Sequence, residues 1–163
     1  MASAYPVIRQ KLVDIVEATT PDHNGFGVDG GFRHLESGFG DEDRAMPPPR
    51  SFFIEMLGGR AELPQHYHQL GRVRADVGLS IIYPDDVANV GGMDEICGSD
   101  AENLVAQLLL PDNWNTSTTG LELVGKRDGG HSALPFDIIA DDGIRVLQFF
   151  FEVTYRRGAE TNS

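Results

Sequence analysis

His66 and His68, one residue apart, are the pair of side chains in this sequence best suited to holding a metal. In an extended segment, side chains two apart share a face, so both imidazoles would point the same way; a zinc or iron site then needs at least one further donor. The residues four and five places after His68 are Arg72 and Val73, and neither supplies it. The pair therefore reads as two loop histidines, with no metal expected. Gly25-Phe26-Gly27-Val28-Asp29-Gly30 spells G-x-G-x-x-G. A dinucleotide fingerprint requires a strand before that run and a helix after it. Here a helical pattern precedes it and a Gly- and Pro-rich stretch follows, so no nucleotide is expected. Asp85-Asp86 and Asp141-Asp142 are paired carboxylates beside turn residues, where turn chemistry accounts for them. Cys97 is the only cysteine, which leaves no intramolecular disulfide and no cysteine-rich zinc site. No Gly-x-Ser-x-Gly elbow occurs, and nothing supports a nucleophile. Asn115-Thr116-Ser117 fits a glycosylation acceptor, but it carries little meaning without a secretory signal. The expectation is a protein with no catalytic residue and no cofactor.

Composition narrows the class further. The chain has 163 residues, enough for one domain spanning 1–163 with a real core. Its 25 acidic residues outnumber 13 basic ones, for a net charge of −12. That balance argues against tight binding to a phosphate backbone, which needs clustered Lys and Arg; simple solubility accounts for it first, and it is also compatible with a surface that DNA passes without sticking. Nothing at the start reads as a signal peptide, and no apolar run approaches the ~20 residues of a membrane helix. An intracellular or virion setting is expected, with no membrane partner.

The elements follow from periodicity. Residues 5–18 predict an amphipathic helix, with Ser3 as cap, Pro6 in the first turn and Ile8, Leu12, Ile15 and Val16 on one stripe. From Thr19 to Arg50 the periodicity disappears into glycines, the acidic run Asp41-Glu42-Asp43 and Pro47-Pro48-Pro49, predicting an extended loop or arm. Ser51–Leu57 predicts a short strand. Val73–Tyr83 predicts a cleaner one, with Val73, Ala75, Val77, Leu79, Ile81 and Tyr83 on one face. Ser99 and Glu102 form a capping-box pattern that opens a helix to Leu110, with Met93–Cys97 an earlier turn broken off by Gly98 and Pro111 as the stop. Short strands are predicted at Leu121–Val124 and Leu134–Ile139. The longest strand is Gly143–Arg157: Leu147, Phe149, Phe151, Val153 and Tyr155 make one apolar face, while Gln148, Phe150, Glu152, Thr154 and Arg156 make an amphipathic one that is wet or meets another subunit. A polar tail, 158–163, ends the sequence. The fold class is α+β: an antiparallel (mixed) β-sheet with two helices packed on one face, plus a long Gly/Pro-rich loop.

The layout of helix Tyr5–Ala18, strands Ser51–Leu57 and Val73–Tyr83, helix Ser99–Leu110 and a long last strand ending in Tyr155-Arg156-Arg157 resembles the tail terminator (tail completion) proteins of long-tailed bacteriophages. The resemblance covers most of the chain and lies in architecture, because that family has no invariant catalytic motif. It implies a structural virion protein rather than an enzyme. The protein would form a homohexameric ring that caps the head-proximal end of the tail tube, ends tube polymerisation and docks to the neck or connector. The implied partners are other copies of the chain, the tail tube protein and the neck (head–tail joining) protein, with DNA passing through the lumen. The residues singled out for subunit or partner contact are Phe39, Asp41, Glu42 and Asp43 in the arm, and Phe150, Arg156 and Arg157 in the last strand. Two alternatives stand beside this one: another head–tail joining or tail tube component, and a small metal-dependent enzyme. The latter is similar to cupins in its His66-x-His68 pair but lacks their downstream Glu, and its Gly59 falls one place off their spacing.

Overall fold

The computed structural model describes residues 4–25, 28–35, 47–62, 71–84, 90–114, 121–125, 134–141 and 143–156. It is an α+β fold in which a mixed sheet carries its helices on one face. In chain order the elements are α1 (Ala4–Ala18), β1 (Arg33–His34), β2 (Ser51–Glu62), β3 (Arg72–Pro84), α2 (Val90–Leu108), α3 (Pro111–Trp114), β4 (Leu121–Gly125), β5 (Phe136–Asp141) and β6 (Ile144–Arg156). The sheet order is β1-β2-β3-β6-β4, and β5 also pairs with β6. Strands β4 and β5 thus share one flank of β6, with β4 along its C-terminal half and β5 along its N-terminal half. All pairings are antiparallel except that of β1 with β2.

The centre of the sheet is the β3–β6 ladder, which runs unbroken from Arg72 opposite Arg156 to Pro84 opposite Ile144. Both strands alternate as their sequences predict. Val73, Ala75, Val77, Leu79, Ile81 and Tyr83 face Tyr155, Val153, Phe151, Phe149, Leu147 and Arg145 in register, and all are buried. Burying this continuous apolar face under two helices is the main driving force of the fold. Helix α1 contributes Ile8, Leu12, Ile15 and Val16, the stripe expected from spacing. Its last turn is closed by Thr19, whose hydroxyl donates to the Ile15 carbonyl at 2.9 Å.

Several boundaries differ from the sequence expectation. Helix α2 is one continuous element from Val90, not two pieces divided at Gly98. Met93, Ile96, Cys97, Ala101, Leu104 and Leu108 bury one stripe that runs straight past the glycine, and packing along that stripe outweighs the ~1 kcal/mol a glycine costs. Ser99 and Glu102 consequently lie inside the helix, not at its cap. Among the described residues a third, four-residue helix follows the two expected ones, because Pro111 starts a short turn of its own. There Trp114 Nε1 donates to the Leu108 carbonyl at 2.6 Å and Asn113 Nδ2 to the Gln107 carbonyl at 2.8 Å, closing the end of α2. Strand β2 runs on to Glu62 through a register shift between Met56 and Gly58. Gly59 permits it: a Cβ there would fall 2.5 Å from the Arg74 carbonyl oxygen. Strand β6 turns out of β5 through Gly143, whose φ of 78° only glycine adopts without cost.

Within the stretch 19–50, read from sequence as a loop or arm, residues 19–25, 28–35 and 47–50 are described. They are packed: Val28 and Phe32 belong to the core, Gly25 and Val28 exchange backbone hydrogen bonds, and β1 adds a parallel edge to β2.

Candidate functional site

The face of the sheet away from the helices carries the exposed apolar side chains Leu57 and Phe150. The β2–β3 and β3–β6 registers set Glu55, Gly78 and Phe150 in one cross-strand row. Gly78 has no side chain, and the neighbouring bulge residue Leu57 leans with Phe150 over the gap; a Cβ on Gly78 would meet Leu57 Cδ1 at 3.3 Å and Phe150 Cε1 at 3.4 Å. Leu57 is 52% exposed and Phe150 49%. Two large apolar side chains, positioned by the two longest strand pairings, thus stand in solvent side by side. The exposed Ile139 on β5 continues this face, and Phe136 and Ile138 of the same strand are exposed on its other side.

Moving from Phe150 toward the C-terminal end of β6, the face turns polar. The next row pairs Asp76 with Glu152, the following one Arg60 and Arg74 with Thr154, and the last brings Glu62, Arg72 and Arg156 together in register. Arg74 Nη1 lies 3.5 Å from Glu152 Oε1, an ion-pair contact that is not aligned as a hydrogen bond. Glu152 is only 4% exposed and Thr154 3%, so this end of the face, expected from sequence to be wet or to meet another subunit, is closed to solvent within the single chain. Glu152 Oε1 and Thr154 Oγ1 are buried with no hydrogen-bond partner among the described residues.

Of the residues singled out from sequence, Phe150 is on this open face, and Arg156 is placed by its backbone at the far end, paired with Arg72. Phe39, Asp41, Glu42, Asp43 and Arg157 lie outside the described residues, as do His66 and His68.

The sequence reading missed a second polar centre at the other end of β3. Arg50, directly after the three prolines, is fully buried and holds a left-handed backbone (φ 64°), a conformation costing a non-glycine residue roughly 1–2 kcal/mol. Its guanidinium offsets that cost through a set of hydrogen bonds. Nε donates to Asp100 Oδ2 at 2.8 Å and Nη2 to Asp100 Oδ1 at 3.1 Å, a two-pronged ion pair. Nη1 donates to Asn24 Oδ1 at 2.6 Å and to the Gly30 carbonyl at 2.9 Å, and Nη2 also to the His23 carbonyl at 2.5 Å. Phe32 lies under the guanidinium, 5.9 Å from ring centre to carbon. Tyr83 Oη donates to Asp100 Oδ2 at 2.6 Å. Burial, and then the Asp100 charge, push the Tyr83 phenol well above its ordinary pKa, so it stays protonated as a donor. This knot ties His23, Asn24 and Gly30, the start of β2, the end of β3 and α2 to one another. Nearby, Arg145 at the start of β6 pairs with Asp94 of α2.

Outside the knot, a cleft of about 480 Å³ separates loop 23–24 from α2 and is lined by His23, Asn24, Glu95, Ile96, Ser99 and Glu102 among others. Glu95 and Glu102 are exposed, seven residues apart and so on one face of the helix. Among the described residues no group of three His, Cys, Asp or Glu side chains is placed to hold a metal, and no helix is long and apolar enough to cross a membrane. The described residues offer apolar surface and an ion pair on the sheet and carboxylates at the cleft. No protein-family model matches the chain, and no curated protein matches it either.

Proposed function

We propose that this chain is a structural subunit that assembles with identical copies into a ring, of the kind tail terminator proteins form at the head-proximal end of a long-tailed phage tail. There it caps the tube, stops its growth and offers a face to the neck or connector. One observation carries the reading: Leu57 and Phe150, roughly half exposed, project side by side over Gly78 on the sheet face opposite the helices. Apolar groups placed this way by the most extensively paired strands are material for a protein–protein contact. The layout of helix, strand pair, helix and long final strand agrees with the resemblance, and a chain of net charge −12 suits a channel past which DNA moves without sticking.

The test is the absolute mass of the purified protein by light scattering across concentration. A species near six times the 17.8 kDa chain, present alone or formed on tail tubes, is the expected result. A monomer at every concentration, with and without tubes, sinks the reading. Open-ended fibres replace it with a tube subunit.

A further inference from the structure

We infer that the outer edge of β5 pairs antiparallel with the same edge of a second copy of this chain, so that the two sheets continue into one across a two-fold axis. The contact goes beyond the ring reading and does not rest on it. A two-fold contact closes on two copies, and a ring of six built with it consists of three such pairs.

Strand β5 is poorly covered. Among the described residues it pairs with β6 alone, and Phe136, Asp137, Ile138, Ile139 and Ala140 are all exposed. Phe136 is 40% exposed, Ile138 36% and Ile139 41%, with the first two on the helix-covered side and the third on the other. Apolar side chains therefore meet solvent on both faces of one short strand. Open edges are ordinarily blunted by lysine, proline or a bulge. The segment Phe136–Asp141 contains neither residue, and its register with β6 is unbroken. Such an edge is a template for another strand.

The hairpin geometry decides which backbone groups are on offer. Two residues join β5 to β6, so the closing pair, Asp141 opposite Ile144, exchanges both of its backbone hydrogen bonds. Bonded pairs alternate from there, which commits Asp141, Ile139 and Asp137 to β6 and turns the N–H and C=O groups of Phe136, Ile138 and Ala140 outward. A single antiparallel register uses all three: Ile138 against Ile138, with Phe136 against Ala140 on either side. It sets a large side chain against a small one and Asp137 against Ile139, so no aspartate stands opposite an aspartate. A foreign strand would need a matching sequence, whereas a second copy has it by symmetry. The ring of Phe136 already lies 6.0 Å from that of the buried Phe149, so the pairing would extend the core layer of one copy into the next. Each copy carries a net charge of −12, which opposes approach at long range. The contact should therefore tighten as salt is added, the reverse of what a cationic partner strand would show.

The experiment measures light-scattering mass of the full chain against concentration for wild type and Ile138→Pro, with disulfide trapping of Ile138→Cys and Asp137→Cys under mild oxidation. Proline at 138 removes an outward N–H and leaves the β5–β6 bonds in place, so it is expected to melt at the wild-type temperature. Wild type is expected to reach twice the 17.8 kDa chain or a higher even multiple, and the proline to raise the midpoint concentration about tenfold through the two lost hydrogen bonds. Opposed Cα atoms in a bonded pair stand about 5.5 Å apart, within reach of a disulfide, so Ile138→Cys should be trapped as a pair and Asp137→Cys should not. If Ile138→Pro melts below wild type, the two cysteine variants decide alone. Assembly of Ile138→Pro at the wild-type midpoint, or equal trapping of the two cysteine variants, overturns the inference. A six-copy species indifferent to Ile138→Pro leaves the ring reading standing and removes this contact. A two-copy species that Ile138→Pro dissolves, with no six-copy species alone or on tail tubes, supports this contact and removes the ring. A wild type that stays monomeric alone overturns this inference, and the ring reading is then decided on tail tubes.

Discussion

The two polar clusters on β3 are built in opposite ways. Around Tyr83 every strong group has a partner: Arg50 spends its guanidinium on Asp100, Asn24 and two carbonyls, and Asp100 takes both Arg50 and Tyr83. Around Arg74 the polar atoms are less well served, with Glu152 Oε1 and Thr154 Oγ1 buried and without a hydrogen bond among the described residues. The first cluster lies under the helices, where a buried charge without a partner would unfold the protein. The second lies on the face that also exposes Leu57 and Phe150. The helix-covered cluster satisfies its own polar groups, whereas the open face leaves buried polar atoms without a hydrogen bond among the described residues.

Breaking the satisfied cluster is expected to have the largest effect. Asp100→Ala leaves the Arg50 guanidinium buried with no counter-ion, and a loss of about 3–5 kcal/mol in denaturant unfolding is expected. The amides next to His23 and Gly30 should also lose hydrogen-exchange protection, since the carbonyls of those two residues are held by that guanidinium. A loss below about 1 kcal/mol would mean that the knot is not what fixes this end of the fold.

Tyr83→Phe sharpens the comparison at smaller cost. It removes one hydrogen bond to a carboxylate, worth about 1.5–3 kcal/mol near neutral pH. The sign of its pH dependence follows from the raised phenol pKa. In the unfolded chain the phenol ionises near pH ~10, while in the folded protein it keeps its proton to higher pH. The unfolded state then binds fewer protons, so stability falls as pH rises through that value, by up to about 1.4 kcal/mol per pH unit, until the folded phenol itself ionises. The Phe variant should show a shallower alkaline fall in thermal melts taken between neutral pH and pH ~11. Parallel curves for the two proteins would show that Tyr83 is not held protonated.

The contrast between the clusters also marks what the sequence reveals. The period-two alternation of β3 and β6 and the α1 stripe are written in adjacent residues, so fold class, core faces and the exposed Phe150 are legible. The second half of β2 is not, because Gly58-Gly59-Arg60-Ala61-Glu62 has no apolar alternation, and only its pairing with β3 makes it a strand. Arg50 follows three prolines and reads as loop; the fold brings it to Asp100, fifty residues on. One local signal pointed there. Met93, Cys97, Ala101 and Leu104 run as one stripe through Gly98, and Asp100 falls on that stripe, where a carboxylate needs a buried cation. The arginine end was partly visible in Arg156, but its company, Arg60, Arg72 and Arg74, depends on strand register.

The smallest effect has the opposite sign and comes from the other cluster. Thr154 is 3% exposed, its hydroxyl has no partner among the described residues, and its neighbours in register are Arg74 on β3 and Glu122 on β4. Valine has the same shape without the unsatisfied oxygen and favours a strand as well as threonine does. Removing a buried polar atom that makes no bond recovers part of its desolvation cost, so Thr154→Val should leave the isolated chain as stable as wild type or up to about 1 kcal/mol more so, read by urea unfolding at low protein concentration. Destabilisation by more than ~1 kcal/mol would mean that the hydroxyl is bonded in the folded monomer, and the open face would then be as self-contained as the knot around Arg50.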